Sequence, residues 1–451
     1  MSARVALLRE KPPVALERAS YPAAVVEVLR VLDTAGHRSW LVGGAVRDVL
    51  LRRGRKATDY DVATPARPQE VMALFPRVIP TGIEHGTVTV LLKGVPVEVT
   101  TFRGEGEYVD GRRPSSVTFH ENLDADLARR DFTVNALAYD PIGRVFRDPF
   151  GGRSDLRRKI LRAVGEPSAR FGEDGLRPLR AARFAAQLGF KLDAATADAI
   201  PFARAVTAKV SIERVCDELS RLLVAQHAQH GLELLDRTGL LGVVLPPMEA
   251  LPPAVRDHAF LATGLAEPEL TVRLAVLLHV LPAGASSAHA GRDARRLLER
   301  MRFPGRVRDD ACALLMNHEC RSVPGRAPPP RSDVEARRWL SRVGRARAPA
   351  LLALWEADVR ALRPVARSRR ERAGLIAFRA RLSRLERRRP PLSTTELALD
   401  GRAVMDILQI PGGPVVGEAL RHLLEWVLED PKRNTPSSLR AELEAWRPQP
   451  P

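Results

Sequence analysis

The sequence predicts an α+β protein, with a small mixed-sheet head over residues 1–150 and an all-helical remainder. Three observations carry that reading. Strand-like runs, SWLVGG, GTVTVLL and VPVEVTTF, are confined to the first third of the chain. From Asp155 onward apolar residues recur at helical spacing almost throughout. The helix formers Ala, Leu, Arg and Glu dominate the second half. At 451 residues the chain is too long for one ordinary domain.

Taken in order, residues 23–33 read as an amphipathic helix ended by Gly36. SWLVGG is a buried strand, AVRDVLLRR a helix, TDYDVAT a second strand, and PQEVMALF a helix with Pro68 near its start. GTVTVLL and VPVEVTTF alternate as strands do, and Lys93-Gly94 joins them as a tight hairpin. RGEGEYVDGRRPSSV is polar, rich in Gly and Arg, too long for a turn, and expected to be mobile. NLDADLARRDFTVNALAYD is expected to be helix-rich, and FGEDGLRPLRAARFAAQLGF to form one helix. Ser211 is a credible N-cap for VSIERVCDELSRLL. GLELLDRTGLL and RLAVLLHV continue the series, and 321–332 has the composition of a linker. Arg-rich helices are predicted at 333–354 and about 365–387, with a last segment after Pro390-Pro391. The expected divisions are a head (1–150), a neck (151–210), a body (211–330) and a tail (331–451).

A formal charge of +17, carried mostly by Arg, fits a polyanionic partner, because guanidinium groups suit bidentate phosphate contacts. A GC-rich genome would explain Arg in place of Lys, but less easily the excess over acid. Cys216, Cys312 and Cys320 give no disulfide framework and no CxxC metal pattern. The N-terminal stretch lacks an adequate apolar core for a leader, and no run reaches eighteen apolar residues. A soluble, cytoplasmic protein is therefore expected.

Chemistry concentrates in three clusters. In LVGGAVRD a strand ends at Gly43 and Gly44, whose backbone N–H groups can approach a phosphate closely, and a short helix carries Arg47. Strand alternation places Asp59 and Asp61 of DYD on one face, where two carboxylates can hold Mg²⁺. DxD alone is common; its position after LVGGAVRD gives it weight. Glu98 lies on a strand that could neighbour DYD and complete a two-metal site, the alternative being an exposed strand residue. In RRDFTVNALA, a helix starting near Asp131 would show Asp131 and Asn135 on one face, beside Arg129 and Arg130. Such an Asp can accept from a ribose hydroxyl, and the arginines can neutralise a triphosphate; a helix cap with surface arginines is the competing reading. In EDGLRPLRAARF, Asp174, Arg177, Arg180 and Arg183 recur every three residues as a stripe. A fixed carboxylate and guanidinium can pair with the edge of a base, and Arg180 and Arg183 would then face phosphate or the substrate backbone. A salt-bridged surface, worth a few tenths of a kcal/mol per pair, is the alternative.

These motifs make the chain similar to class II tRNA nucleotidyltransferases, the CCA-adding enzyme and bacterial poly(A) polymerase family of the DNA-polymerase-β superfamily. LVGGAVRD with DYDVAT resembles the family's catalytic motif, RRDFTVNALA its ribose motif, and EDGLRPLRAARF its nucleotide-selecting motif. DPFGGRSDLRRKILRAVG is similar to its head-to-neck connection, and the tail from Leu397 resembles the C-terminal segment of the CCA-adding branch. The similarity spans about 38–245 and 392–436; the intervening body is compatible. The resemblance implies a nucleotidyltransferase head, metal-holding Asp59 and Asp61, and a triphosphate site at Gly43, Gly44 and Arg47. It also implies ribose contact by Asp131, with Arg130 and Asn135 beside it, and selection of CTP or ATP by Asp174 and Arg177. Pro178 departs from the pattern and loosens the placement of Arg180 and Arg183.

RLAVLLHV resembles the His-Asp metal pair of some relatives, but Val280 follows His279, so phosphohydrolase activity is not expected. The GIEHGTVTV strand, without a GRRF-like basic stretch, and the intact RGEGEYVDGRRP loop favour full CCA addition to tRNA with Mg²⁺, CTP and ATP. An A-adding enzyme, a poly(A) polymerase and an RNA-binding protein with an inactive head are the alternatives. The implied partner is the tRNA acceptor arm, gripped through shape and backbone, with no membrane and no obligate protein partner.

Overall fold

The computed structural model describes residues 11–52, 60–103, 122–281, 287–318 and 329–446. The chain divides into two compact units, Met1–Glu249 and Ala250–Pro451. Asp59, most of the 103–117 loop and Cys320 lie outside the described residues. Among the described residues no helix is long and apolar enough to cross a membrane.

The first unit is built on a seven-stranded sheet. Its strands are β1 (Trp40–Val42), β2 (Asp61–Thr64), β3 (Val78–Gly82), β4 (Thr87–Leu92), β5 (Val95–Thr101), β6 (Ala138–Asp140) and β7 (Val145–Arg147). They run in the order β3-β4-β5-β2-β1-β6-β7. The β2–β5 pair is parallel and its neighbours are antiparallel, so the sheet is mixed. The β4–β5 hairpin closes where predicted, with Lys93 at φ 51° and Gly94 at φ 76°. Two successive positive φ values give a turn whose twist matches the flanking strands. β3, β6 and β7 are too short or too mixed in pattern to be read from the sequence.

Helix α1 (Ala23–Thr34) lays Val25, Val28, Leu29 and Leu32 against β4 and β5. Each such side chain, fully buried, contributes roughly 1.5–3 kcal/mol. Helix α2 (Gly44–Leu50) follows β1 directly, α3 (Pro68–Leu74) carries Pro68 at its first position as predicted, and α4 (Leu123–Ala128) follows β5 in the described chain. Trp40, Val42, Ala63, Phe102, Leu127 and Ala138 share one buried cluster.

Two predicted helices are corrected here. RRDFTVNALA does not continue as an α-helix: Thr133–Asn135 is a single 3₁₀ turn that delivers the chain into β6. FGEDGLRPLRAARF is broken, not continuous. Helix α5 (Gly152–Arg158) leads to α6 (Pro167–Glu173), and α7 (Leu176–Leu188) starts afresh after Asp174-Gly175. Pro178 sits at the third position of α7, where its missing N–H costs nothing. Gly175 is required there, because a Cβ would stand 2.5 Å from the Val206 carbonyl oxygen. Helices α8 (Ile212–Leu223) and α9 (Ala228–Arg237) pack on α7.

The second unit is helical. It comprises α10 (Pro253–Leu265), α11 (Leu270–Leu278), α12 (Ser287–Arg300), α13 (Gly305–Asn317), α14 (Asp333–Val343), α15 (Ala348–Ala361) and α16 (Val365–Arg388). Then come α17 (Gly401–Leu408), α18 (Pro414–Glu429) and α19 (Pro436–Ala445). The helix predicted over 333–354 is two helices, divided at Gly344 with φ 84°. Trp339, Trp355 and Phe378 stack between α14, α15 and α16 with ring centroids 5.1–6.2 Å apart. Val404, Ala419, Leu423, Val427, Leu439 and Leu443 form a separate cluster among α17, α18 and α19.

Two glycines of the first unit should respond in opposite directions. A Cβ on Gly152 would lie 2.1 Å from the Thr133 carbonyl oxygen, whereas one on Gly172, inside α6, meets nothing within 4 Å. Gly152→Ala should destabilise by about 1–3 kcal/mol and Gly172→Ala should stabilise by about 0.4–1 kcal/mol in urea unfolding. Equal midpoints for the two variants would contradict this packing.

Candidate active site

Strand register assembles the site. Val42 pairs with Asp61 across β1–β2, and Asp61 pairs with Glu98 across β2–β5. Gly43, one residue past Val42, therefore arrives at the end of the sheet that carries both carboxylates. Gly43 has φ 67° and ψ −126°, and a Cβ there would stand 3.0 Å from Arg130 Nη1 and 3.7 Å from Asp61 Oδ2. A side chain would be strained by the backbone and pressed against the Arg130 guanidinium. Gly44 opens α2, which carries Arg47 into the same cleft.

The cleft has a volume of about 510 Å³, within the range of small-molecule sites. Gly43, Gly44, Arg47, Asp61, Glu98, Arg130, Asp131, Asn135, Asp174, Arg177, Arg180 and Arg183 all line it. Every sequence-predicted site residue except Asp59, which lies outside the described residues, is thus brought together. Nine arginines face five carboxylates among the described lining residues, so the cleft suits an anionic ligand.

A chain of hydrogen bonds holds these groups in place. Arg47 Nε donates to Asp48 at 2.8 Å, and Nη1 donates to Asn135 Oδ1 at 2.5 Å. Asn135 Nδ2 donates to Asp131 Oδ1 at 3.0 Å, and the Phe132 N–H donates to the same oxygen at 2.8 Å. Arg180 donates through Nε and Nη2 to Asp131 Oδ2, at 2.7 and 2.6 Å. Asp131 and Asn135 are partners as their spacing suggested, but through a 3₁₀ turn and not across a helix face. Asp131 is 8% exposed and its four acceptor positions are filled. A ribose hydroxyl would have to displace one of these donors.

Burial alone would raise the Asp131 carboxyl. The Arg180 charge and the hydrogen bonds from Asn135, Arg180 and the Phe132 N–H outweigh it and hold the group at about 2. Burial, reinforced by the like charge of Arg129, lowers Arg103 to about 10 against the pull of Asp126, so it stays protonated at neutral pH.

The nucleotide-selecting stripe is corrected in one respect. Asp174 precedes α7 in extended backbone, and only Arg177, Arg180 and Arg183 ride on the helix. Asp174 accepts from the Leu176 N–H at 3.0 Å and from Arg214 at 3.3 Å. Arg177 is fixed by the Arg170 carbonyl at 2.7 Å, the Arg129 carbonyl at 2.9 Å and Glu173 at 2.5 Å. Arg183 pairs with buried Glu218 of α8 at 2.5 Å and stacks 3.8 Å over the Phe184 ring.

Asp126, Glu218, Phe184, Arg214 and Arg221 escaped the sequence reading. Asp126, fully buried, takes Arg129 at 2.6 Å and Arg130 at 3.3 Å, and its i,i+3 and i,i+4 spacing was a usable signal. Arg214 and Arg221 lie seven apart on α8 and line the cleft, but nothing local distinguishes them from a surface face. Glu218 is recognisable only once α8 is placed against α7.

The Asp131 network yields a pH test. A folded-state value below the ordinary 3.8 stabilises the fold above that pH, and the benefit is lost as pH falls toward 2. Asp131→Asn should cost about 3–5 kcal/mol at neutral pH, because Arg180 is left without its carboxylate. The gap to the wild type should narrow by about 2 kcal/mol between pH 4 and pH 2 in urea unfolding. A gap constant over that window would remove Asp131 as the network's charge.

Comparison with known proteins places this geometry. Residues 39–162 match the family model described as the poly A polymerase head domain. Residues 189–251 match that of the probable RNA and SrmB-binding site of polymerase A. The CCA-adding enzyme of Geobacillus thermodenitrificans (strain NG80-2) is 38% identical over 394 residues, 87% of this chain and 89% of that one. The CCA-adding enzyme of Geobacillus sp. (strain WCH70) is 49% identical over 213 residues, 47% of this chain and 52% of its own. The crystal structure of the Bacillus stearothermophilus CCA-adding enzyme in complex with CTP superposes with a TM-score of 0.73 at 34% identity, covering 94% of this chain and 96% of that one. On sequence and on structure, the chain belongs to the CCA-adding enzyme family.

Proposed function

We propose that this protein adds CCA to the 3′ end of tRNA from CTP and ATP, releasing pyrophosphate at each step. The observation that carries the reading is the convergence of the Gly43-Gly44 turn, the Asp61–Glu98 pair and the Arg177 helix on one cleft. A cradle, a carboxylate site and a rigid base-selecting edge are what nucleotide choice without a template requires.

Asp61 and Glu98 present hard carboxylate oxygens at one end of the sheet, a donor set that fits Mg²⁺ and disfavours softer cations. With Asp59 they would hold the ions, and bound Mg²⁺ would supply activation of the attacking hydroxyl and charge neutralisation at the leaving oxygens. The chain's own groups do the rest. The Gly43 and Gly44 backbone with Arg47 and Arg130 would seat the triphosphate, held in place by Asn135 and Asp126. Asp174 and Arg177 would present an acceptor and a donor to the base, with Arg180 and Arg183 behind them. Because each arginine is already tied to a carboxylate or carbonyl, little reorganisation is needed when a nucleotide enters.

The division into head (1–150), neck (151–210), body (211–330) and tail (331–451) serves the same reading. The tail's α16 buries Leu375, Phe378, Leu382 and Leu385 on one face and exposes Arg370, Arg384, Arg387 and Arg388. We assign that basic surface to the tRNA backbone, read by shape and charge.

The deciding experiment offers the protein tRNAs ending before CCA, after C and after CC, with CTP and ATP separately and together. Products are resolved to single nucleotides. Completion of all three substrates is expected. Incorporation on the CC-ending tRNA alone would replace this reading with A addition, and long A tails would replace it with a poly(A) polymerase. Asp61→Ala should lower incorporation by at least about a thousandfold, and Asp59→Ala likewise. Both should leave tRNA affinity within about twofold. Undiminished turnover in either variant would remove that residue from the metal site.

A further inference from the structure

Far from the nucleotide cleft in sequence, the second unit gathers three histidines around one carboxylate. His258 lies on α10, His279 caps the end of α11, His318 caps the end of α13, and Asp358 lies on α15. Asp358 is fully buried, and His279 and His318 are 2% and 3% exposed. His258 Nε2 stands 2.9 Å from Asp358 Oδ1, and His279 Nε2 stands 3.5 Å from the same oxygen. His318 Nε2 stands 3.5 Å from Oδ2. The donor atoms of His258, His279 and Asp358 lie within 4.8 Å of one another.

We propose that His258, His279 and Asp358, with His318 beside the second Asp358 oxygen, form a binding site for one divalent transition-metal ion of the zinc class. Zn–N bonds of 2.0–2.1 Å in a tetrahedron separate the donors by roughly 3.3 Å. The His258–Asp358 and His279–Asp358 separations, 2.9 and 3.5 Å to one oxygen, bracket that edge. The longer of them exceeds a good hydrogen bond, and His279 Nε2 has no hydrogen-bond partner. His279 Nδ1 lies 2.5 Å from the Val276 carbonyl oxygen. A proton on Nδ1 donates to that carbonyl and leaves Nε2 as a lone-pair donor facing the cluster, the arrangement that metal-bound imidazoles share. Two imidazoles and one carboxylate select a borderline-soft cation over Mg²⁺. His258, with 14% of its side chain exposed, gives the ion a way in.

The spread of the donors along the chain explains why the sequence concealed the site. Val280 removes the neighbouring ligand that a His-Asp pair would supply, and Asp358 comes from another helix, 79 positions after His279. With donors on α10, at the end of α11 and on α15, a bound ion would tie these three elements together.

Cobalt separates this site from the carboxylates of the first unit. Four-coordinate Co²⁺ on imidazoles gives intense ligand-field bands, whereas six-coordinate Co²⁺ on oxygen gives weak ones. The full chain, made without a polyhistidine tag and stripped with chelator, should take up one equivalent of Co²⁺ with tetrahedral intensity, and one Zn²⁺ should displace it. His258→Ala and Asp358→Asn should each weaken uptake at least about tenfold. If Asp358→Asn does not fold, as circular dichroism would show, His258→Ala and His258→Gln decide the matter. A wild type without the tetrahedral bands, or bands of equal affinity in the folded variants, overturns the site.

Discussion

One buried carboxylate organises the first unit. Asp131 holds Arg180 of the nucleotide-selecting helix through two donors, and through Asn135 it holds Arg47 of the helix that follows the glycine pair. Three segments of chain, 49 to 133 residues apart, are thereby locked to one another at a point 8% exposed to solvent. Removing either member of a buried pair costs about 3–5 kcal/mol, because the survivor keeps its desolvation penalty without its partner. The two clusters that look independent in sequence, RRDFTVNALA and EDGLRPLRAARF, are therefore one device, and neither can move without the other.

The same logic governs the arginines of the cleft. An unpaired cluster of guanidinium groups would repel itself and collapse toward solvent. Here Asp126 takes Arg129 and Arg130, Glu218 takes Arg183, and backbone carbonyls take Arg177. The pairing keeps the cleft positive while denying its side chains the freedom to swing. Pre-organised charge is worth more than the same charge on flexible stems, because nothing is lost in ordering it when the substrate arrives.

How much of this was legible depends on where each signal sits along the chain. β1, β2, β4 and β5 were readable because alternation and the Lys93-Gly94 turn are local. β6 and β7 have three residues each, too few to show a period, and tertiary pairing alone makes them strands. Asp131 and Asn135 were correctly paired by spacing but given the wrong backbone, since a 3₁₀ turn also brings such residues within reach. The EDGLRPLRAARF stripe failed at its first member because Gly175 must pack on the Val206 carbonyl, a contact 31 residues away. Glu218 carried no local mark at all; its partner Arg183 lies on another helix.

The buried and cleft carboxylates of this chain differ less in themselves than in what faces them. Asp126 and Asp131 face guanidinium groups and hydrogen-bond donors, which fill their lone pairs, so they act as struts. Asp61 and Glu98 are register partners on adjacent strands and line the cleft, where their oxygens would hold a hard divalent ion. Asp358 faces imidazoles, which can give up their protons and turn their nitrogens into ligands for a softer ion. An ion bound in the first unit would meet carboxylate oxygens, and one bound in the second would meet imidazole nitrogens, so one kind of side chain would serve two kinds of ion according to its neighbours.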